Sequence, residues 1–429
     1  MAIATTHKGV AVAPGTESSR GAMAMVTILF FMWGFLTCLN DILIPHLKAI
    51  FDLNYTQVML IQFSFFSSYA VFALPSGKII ELIGYKKTMV AGLFTMGVGA
   101  LLFIPAASVP SYPLFLTALI VLAAGITALQ VSANPYVAVL GSPETASSRL
   151  NLTQAFNSLG TTIAPFLGSL FILSAVPKSL DEIRAMAPAE LQSYRLHEAA
   201  SVKLPYLGIA VALLVLGIVI AKFRLPSLPI EKHDPSQASE SVWKYRHLVL
   251  GAIGIFVYVG GEVSIGSFLV NYLNDPNIGN LSERSAANLV SFYWGGAMVG
   301  RFIGSALLRR IRTGTLLGIC ASAAAILVAT SMMTTGAVAM WSIILVGLFN
   351  SIMFPSIFTL GIDGLGPLTG KGSGVMITAI VGGAIIPVLQ GALADRIGIQ
   401  HAFFVPVLCY LYIVFFAFKG SKRVDLQHA

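Results

Sequence analysis

Amide side chains recur at helical spacing in two apolar stretches. Gln130 and Asn134 are four residues apart in "LQVSANPYVAVLG", and Gln154 and Asn157 are three apart in "NLTQAFNSLG". Residues three or four apart share one face of an α-helix. A neutral amide offers both a donor and an acceptor, which matches a sugar hydroxyl. The spacing predicts a polar binding site, with interhelical hydrogen bonds of about 0.6 kcal/mol each as the alternative.

Three later residues extend this candidate site. Asn350 and Gln390 offer the same amide groups from two further apolar stretches, and Trp294 offers a ring on which a sugar could stack. Aromatic residues also concentrate at membrane interfaces, so packing is the alternative for Trp294. We expect all three to contribute to binding, together with the four amides.

Two carboxylates, Asp41 and Glu262, lie well inside apolar stretches. A carboxylate at the centre of a bilayer costs about 2.5–3.5 kcal/mol, so it is rarely kept without a function. A carboxyl group that alternates between a dry pocket and a wet cavity changes its proton affinity, and can therefore carry a proton. We predict that both residues couple to a cation. The alternatives are that Asp41 has only a structural role, as the partner of a hydrogen-bond donor, and that Glu262 lies near the membrane interface.

The elements that hold these residues are predicted to be membrane helices. The chain of 429 residues is 56% hydrophobic and 10% charged, against roughly a quarter charged in soluble domains. Apolar runs of about 20 residues are long enough to cross the hydrocarbon layer. We predict an all-α membrane protein with twelve spans over residues 23–45, 57–82, 87–108, 111–139, 149–173, 204–223, 245–273, 284–308, 313–331, 337–361, 371–396 and 400–418.

Charge location predicts the orientation. With both termini on one side, that side has 18 of the 26 Lys and Arg residues, and the other side has 7. By the positive-inside rule both termini are cytoplasmic, so the net charge of +8 reflects topology rather than nucleic-acid binding. The three cysteines are too scattered for a metal cluster. We expect no cofactor and no metal.

A repeat divides the chain. Pro135 and Pro355 are 220 residues apart, and each is followed by four residues and Leu-Gly. Pro165 and Pro387 are 222 apart, and each follows a glycine by five residues. We predict two pseudo-symmetric six-helix halves, 23–223 and 245–418, joined by a cytoplasmic linker, 224–244, with cytoplasmic tails at 1–22 and 419–429. Secondary transporters often bind substrate where such halves meet.

A short motif marks the turn between the second and third spans. "GKIIELIGYKK" contains Gly77, Glu81, Gly84 and Lys87, and resembles the loop signature of the major facilitator superfamily, in which the acid is usually Asp. We predict a gating loop there, with an ordinary basic turn as the alternative. A second copy, "GALADRIG" at 391–398, falls on the outer side, and we interpret it as a helix end.

Three stretches carry a closer resemblance over nearly the whole chain. "WGFLTCLNDILIPHLK", "LQVSANPYVAVLG" and "RLNLTQAFNSLG" resemble the fucose–galactose–glucose:proton symporter family, in its glucose/galactose transporter branch. The resemblance implies alternating access and cation-driven sugar import in a bacterial inner membrane, by a protein that functions as a monomer. It further implies roles for Asn40 in sugar binding and for Asp41 in sugar binding and proton coupling, and it matches the family's amides on the fifth helix to Gln154 and Asn157.

One position departs from the family pattern. The L-fucose permease has a Glu before the Ala-Asn-Pro turn, and here the matching residue is Gln130, which cannot titrate. Either Glu262 supplies a second carboxylate, or a single-carboxylate or sodium-coupled mechanism applies.

Other functions remain open at this point. An uncoupled transporter, another sugar such as fucose, fructose, mannose or N-acetylglucosamine, and an efflux antiporter are the alternatives. Antiporters favour apolar aromatic pockets over amides. A channel or an enzyme is disfavoured, because the sequence has no filter loop and no nucleophile–base or metal pattern.

Overall fold

The computed structural model describes residues 17–51, 55–109, 111–171, 182–183, 185–226 and 241–422. In the first half the helices are α1 (Glu17–Phe51), α2 (Tyr55–Ile83), α3 (Tyr85–Ser108), α4 (Tyr112–Val139), α5 (Ala146–Phe171) and α6 (Pro188–Lys222). In the second half they are α7 (Arg246–Asn274), α8 (Glu283–Leu307), α9 (Thr313–Met333), α10 (Gly336–Asn350), α11 (Met353–Ile362), α12 (Thr369–Thr378), α13 (Gly382–Ile397), α14 (Ile399–Ala402) and α15 (Phe404–Phe415). No strand occurs within these ranges, and the all-α prediction is confirmed.

The helices match the predicted spans in order. Within the described part of the chain, eight helical stretches are long and apolar enough to cross a membrane. The largest boundary difference is α6, which begins at Pro188 rather than at residue 204. Its extra turns are polar, so hydropathy identifies only the apolar part from Lys203. Pro188 at the first helical position and Glu190 in the first turn favour this earlier start.

Three predicted spans are broken. The tenth separates into α10 and α11 at Ser351 and Ile352, and the eleventh separates into α12 and α13 at a 3-10 turn over Ala379–Val381. The twelfth separates into the short α14 and α15 at Phe403. In the first half, α4 and α5 continue through Pro135 and Pro165. The discontinuous helices therefore belong to the second half.

Lys and Arg side chains cluster at one end of the bundle, called the basic end below. It is where α2, α4, α6 and α8 end and α3, α5, α7 and α9 begin. Its described basic residues include Lys78, Lys86, Lys87, Lys222, Arg246, Arg309, Arg310 and Lys371. The start of α1 at Glu17 and the described residues of the linker, 224–226 and 241–244, also lie at this end. Residues 1–16, 227–240 and 423–429 lie outside the described part of the chain.

The two halves meet mainly through α5 with α8 and α2 with α12. Near the basic end, Ser147 Oγ lies 2.6 Å from Thr359 Oγ1, and Ser148 donates to the carbonyl of Ser305 at 2.7 Å. A Cβ added to Gly77 would lie 2.9 Å from the carbonyl oxygen of Gly370, so α2 and α12 are in backbone contact. The basic end is thus closed by direct contact between the halves.

The same side-chain bond occurs in both halves. Gln130 on α4 donates to the hydroxyl of Tyr69 on α2 at 2.8 Å, and Asn350 on α10 donates to the hydroxyl of Tyr293 on α8 at 2.8 Å. Gln130 and Asn350 are 220 residues apart, like Pro135 and Pro355. The recurrence supports the interpretation of the chain as a duplicated unit.

Candidate functional site

A cavity of about 160 Å³ lies where the two halves meet. The first half contributes Trp33, Gln130, Gln154 and Asn157, and the second half contributes Tyr258, Glu262, Arg301, Phe354 and Pro355. The wall therefore combines three neutral amides, aromatic rings, one carboxylate and one guanidinium.

Each lining amide is oriented by a neighbouring helix. The Nδ2 of Asn157 donates to the Phe30 carbonyl at 2.9 Å. The approach of α1 to α5 is close, because a Cβ on Gly34 would lie 2.3 Å from the Asn157 carbonyl oxygen. The Nε2 of Gln154 lies 3.4 Å from Oδ1 of Asn134, its acceptor. Gln130 retains its Oε1 and one N–H beyond its bond to Tyr69.

Asn134 and Asn350 do not line the cavity. Asn134 is fully buried behind Gln154, and its Nδ2 has no hydrogen-bond partner. Asn350 is also fully buried, and it donates to Tyr293 and accepts from Tyr410 at 2.8 Å. Its amide therefore joins α8, α10 and α15 inside the second half.

Gln390 and Trp294 also lie apart from the cavity. Gln390 is fully buried on α13, and neither its Oε1 nor its Nε2 has a hydrogen-bond partner. Trp294 is 45% exposed and stacks edge-on against Tyr293. Of the seven predicted binding residues whose side chains the structure describes, three lie at the cavity wall.

The carboxylate of the second half reaches the cavity. Glu262 lies on α7 beside Tyr258, and its buried Oε1 has no hydrogen-bond partner. The neighbouring Gly260 packs α7 against α13, since a Cβ there would lie 2.2 Å from Ile386. The glycine pair serves close helix packing, and α7 is continuous at Glu262. Asn40 and Asp41 belong to α1, but their side chains lie outside the described part of the chain.

The prolines of the repeat free two carbonyl groups that other residues bind. A proline has no N–H for the carbonyl four residues earlier. The freed carbonyl of Val131, before Pro135, accepts a bond of 2.8 Å from Ser373 in the other half. The freed carbonyl of Ser351, before Pro355, accepts from Nε of Arg301 at 3.3 Å. Pro135 therefore provides an acceptor for closing the basic end while α4 stays helical.

The predicted gating loop also lies at the basic end. Glu81 Oε1 is 3.3 Å from Nζ of Lys371 in the other half. Gly84 begins α3 with a φ of 86°, and Gly398 ends α13 with a φ of 84°, so the second copy of the motif is a helix end as expected. Lys87 is exposed, whereas Lys86 donates to the Ala221 carbonyl at 2.7 Å.

Comparison with known proteins decides the family. The Major Facilitator Superfamily model matches residues 23–380. A glucose/galactose transporter of Brucella abortus biovar 1 (strain 9-941) is 56% identical over 94% of each chain. The chain belongs to the major facilitator superfamily. The L-fucose-proton symporter of Escherichia coli K12 is 35% identical over 92% of each chain.

Solved structures support the same assignment. The crystal structure of FucP, a major facilitator superfamily transporter in the outward conformation, matches with a TM-score of 0.88 at 35% identity and covers 94% of this chain and 99% of that one. The resemblance seen in the sequence and the predicted superfamily fold are confirmed.

Sequence reasoning assigned no role to several residues of the cavity, above all Arg301. An arginine within a predicted membrane span is itself a strong signal, because such residues are costly and face the bundle interior or a cavity. Trp33, Phe354 and Pro355 have no comparable signal, since aromatic residues and prolines are frequent in membrane helices.

Proposed function

We propose that the protein imports a hexose such as glucose or galactose together with a proton, by alternating access in a bacterial inner membrane. The observation that carries this proposal is the composition of the cavity wall. Three amides and Trp33 face a carboxylate, Glu262, across the junction of the halves. Amides pair with sugar hydroxyls in both directions, and the carboxylate can bind and release a proton.

The relatives support the choice of substrate class. The Brucella protein is a glucose/galactose transporter, and the Escherichia coli protein is an L-fucose-proton symporter. Gln130 stands where the permease pattern has a Glu, so Asp41 and Glu262 are our candidates for the coupling carboxylates. With both termini cytoplasmic, the closed basic end corresponds to an access path that is shut from the inside. The protein moves its substrate without altering it chemically, and it works as a monomer.

Sugar-driven proton movement tests the proposal. Vesicles that contain the protein are suspended in weakly buffered medium, and the external pH is followed after addition of D-glucose, D-galactose or L-fucose. We expect external alkalinisation with glucose or galactose, and none with vesicles that lack the protein. Alkalinisation with L-fucose alone would transfer the assignment to that sugar, and sugar entry without a pH change would refute proton coupling.

A further inference from the structure

One charged side chain connects the cavity to the contact between the halves. Arg301 on α8 lines the cavity with Glu262. Its Nε donates to the Ser351 carbonyl, which Pro355 leaves free. Its Nη1 donates to Oγ of Ser158, which lies on α5 in the other half. Arg301 thus contacts the break between α10 and α11 and the first half at once.

The surroundings of Ser158 show that this bond is built into the contact. Oγ of Ser158 donates to the Gln154 carbonyl at 3.1 Å and accepts from Arg301, so it uses its donor and an acceptor site. In the reverse direction, Nδ2 of Asn151 on α5 donates to the Arg301 carbonyl at 2.7 Å. The two helices are therefore joined at both the backbone and the side chain of Arg301.

Glu262 is the group that can compete for this guanidinium. Its buried Oε1 has no hydrogen-bond partner. The ionisable groups that act on it, within the described ranges, are Tyr258 on α7, Arg301 and Tyr293 on α8, and Tyr410 on α15. Tyrosines are neutral at physiological pH, so Arg301 is the counter-charge among them. An ionised carboxylate binds a guanidinium more strongly than a serine hydroxyl does.

We propose that Arg301 is a positioning residue that prevents protons from entering without sugar. With Glu262 protonated and no sugar bound, the guanidinium stays on Ser158 and keeps the halves together. A sugar hydroxyl in the cavity, or an ionised Glu262, takes the guanidinium from Ser158 and releases the contact. The form with both sugar and proton bound, and the form with neither, can then change conformation. The form with a proton on Glu262 and no sugar cannot. This inference rests on the proposed symport function.

The proton balance of the cycle is simple. A proton from the outer water joins the Glu262 carboxylate, travels on it through the conformational change, and leaves to the inner water. No other bond is made or broken. The specific requirement is that the protonated form without sugar must not complete this cycle, and the bond between Arg301 and Ser158 meets that requirement.

The test compares two serine-to-alanine variants on the same helix. Ser158→Ala removes the acceptor of Arg301. Ser148→Ala is the matched control, because Ser148 bonds the Ser305 carbonyl on the same neighbouring helix and involves no charged side chain. Proton influx into proteoliposomes is recorded without sugar, with an interior-negative potential and an internal pH-sensitive dye. Exchange of labelled for unlabelled glucose verifies that both variants are folded.

We expect sugar-free proton influx to rise about tenfold in Ser158→Ala, since a hydrogen bond to a charged group typically shifts an equilibrium by an order of magnitude or more. Ser148→Ala removes an uncharged hydrogen bond between the same two helices, so its proton influx should rise less than that of Ser158→Ala. Adding Glu262→Gln to Ser158→Ala should abolish the leak, and equal influx in the two serine variants would contradict a specific role for Arg301. The role of Arg301 would be overturned if proton influx without sugar in Ser158→Ala equalled that of the wild type, or if the influx persisted in the Ser158→Ala, Glu262→Gln double variant. Absence of sugar-driven proton uptake in the wild type would instead refute the symport proposal itself.

Discussion

Replacement of Gln130 by Leu tests whether the amides bind the sugar. Gln130 Nε2 donates one hydrogen to Tyr69 at 2.8 Å, which leaves Oε1 and one N–H for a ligand. Two neutral hydrogen bonds contribute about 1–3 kcal/mol in total. At 1.4 kcal/mol per factor of ten, the half-saturation concentration for sugar should rise by about 5- to 150-fold.

The assay is exchange of labelled for unlabelled glucose across vesicles without any ion gradient, because exchange needs binding but no coupling. Tyr69→Phe is the matched control. It removes the hydroxyl that orients Gln130 and leaves the amide in the cavity, so a rise of about fivefold is expected from the loss of one hydrogen bond of about 1 kcal/mol. A folded Gln130→Leu variant with wild-type half-saturation would refute the binding role.

Three further predictions concern coupling, the basic end and packing. Asp41→Asn and Glu262→Gln should each abolish uphill accumulation of sugar and preserve exchange; accumulation by both variants would remove the carboxylates from the mechanism. Glu81→Gln removes the partly exposed ion pair with Lys371, which is worth about 0.2–1 kcal/mol. Chemical labelling of cysteines introduced at the basic end should therefore be up to about fivefold faster in this variant, and an unchanged labelling rate would contradict a role of the ion pair in closure. Gly34→Ala should destabilise the fold by about 1–3 kcal/mol in thermal unfolding, because the new Cβ would lie 2.3 Å from the Asn157 carbonyl oxygen. Gly208→Ala is the control, because a Cβ there has no atom within 4 Å. Equal melting temperatures for the two variants would refute the packing argument.

Helical periodicity was sufficient to predict which polar residues share one face of a helix. Gln154 and Asn157 share a face of α5, and both reach the cavity. The same reasoning could not separate Gln130 from Asn134, because their difference depends on a neighbouring helix. Asn134 is covered by Gln154, whereas Gln130 lies where the halves meet.

Tertiary partners explain the residues that the spacing could not sort. The amide of Asn350 is hydrogen-bonded to the hydroxyls of Tyr293 and Tyr410, and no pattern in the sequence pairs those tyrosines with it. The break at Ser351 was also not predictable from the sequence. Pro135 and Pro355 occupy equivalent positions of the repeat, but α4 is continuous through Pro135, whereas Pro355 lies just after the break in the tenth span. What differs is the group that binds the freed carbonyl, a serine from the other half in one case and Arg301 in the other.

Uptake of labelled D-glucose into proteoliposomes with an imposed inward proton gradient, compared with the same vesicles at equal pH, tests the central claim most directly. One charge moving down a potential of 100 mV gains about 2.3 kcal/mol, which can sustain accumulation of about fifty-fold. We predict accumulation above the external concentration only when the gradient is present. Equilibration to the same level under both conditions would contradict proton-linked symport, and exclusion of glucose under both would contradict the assignment of the sugar.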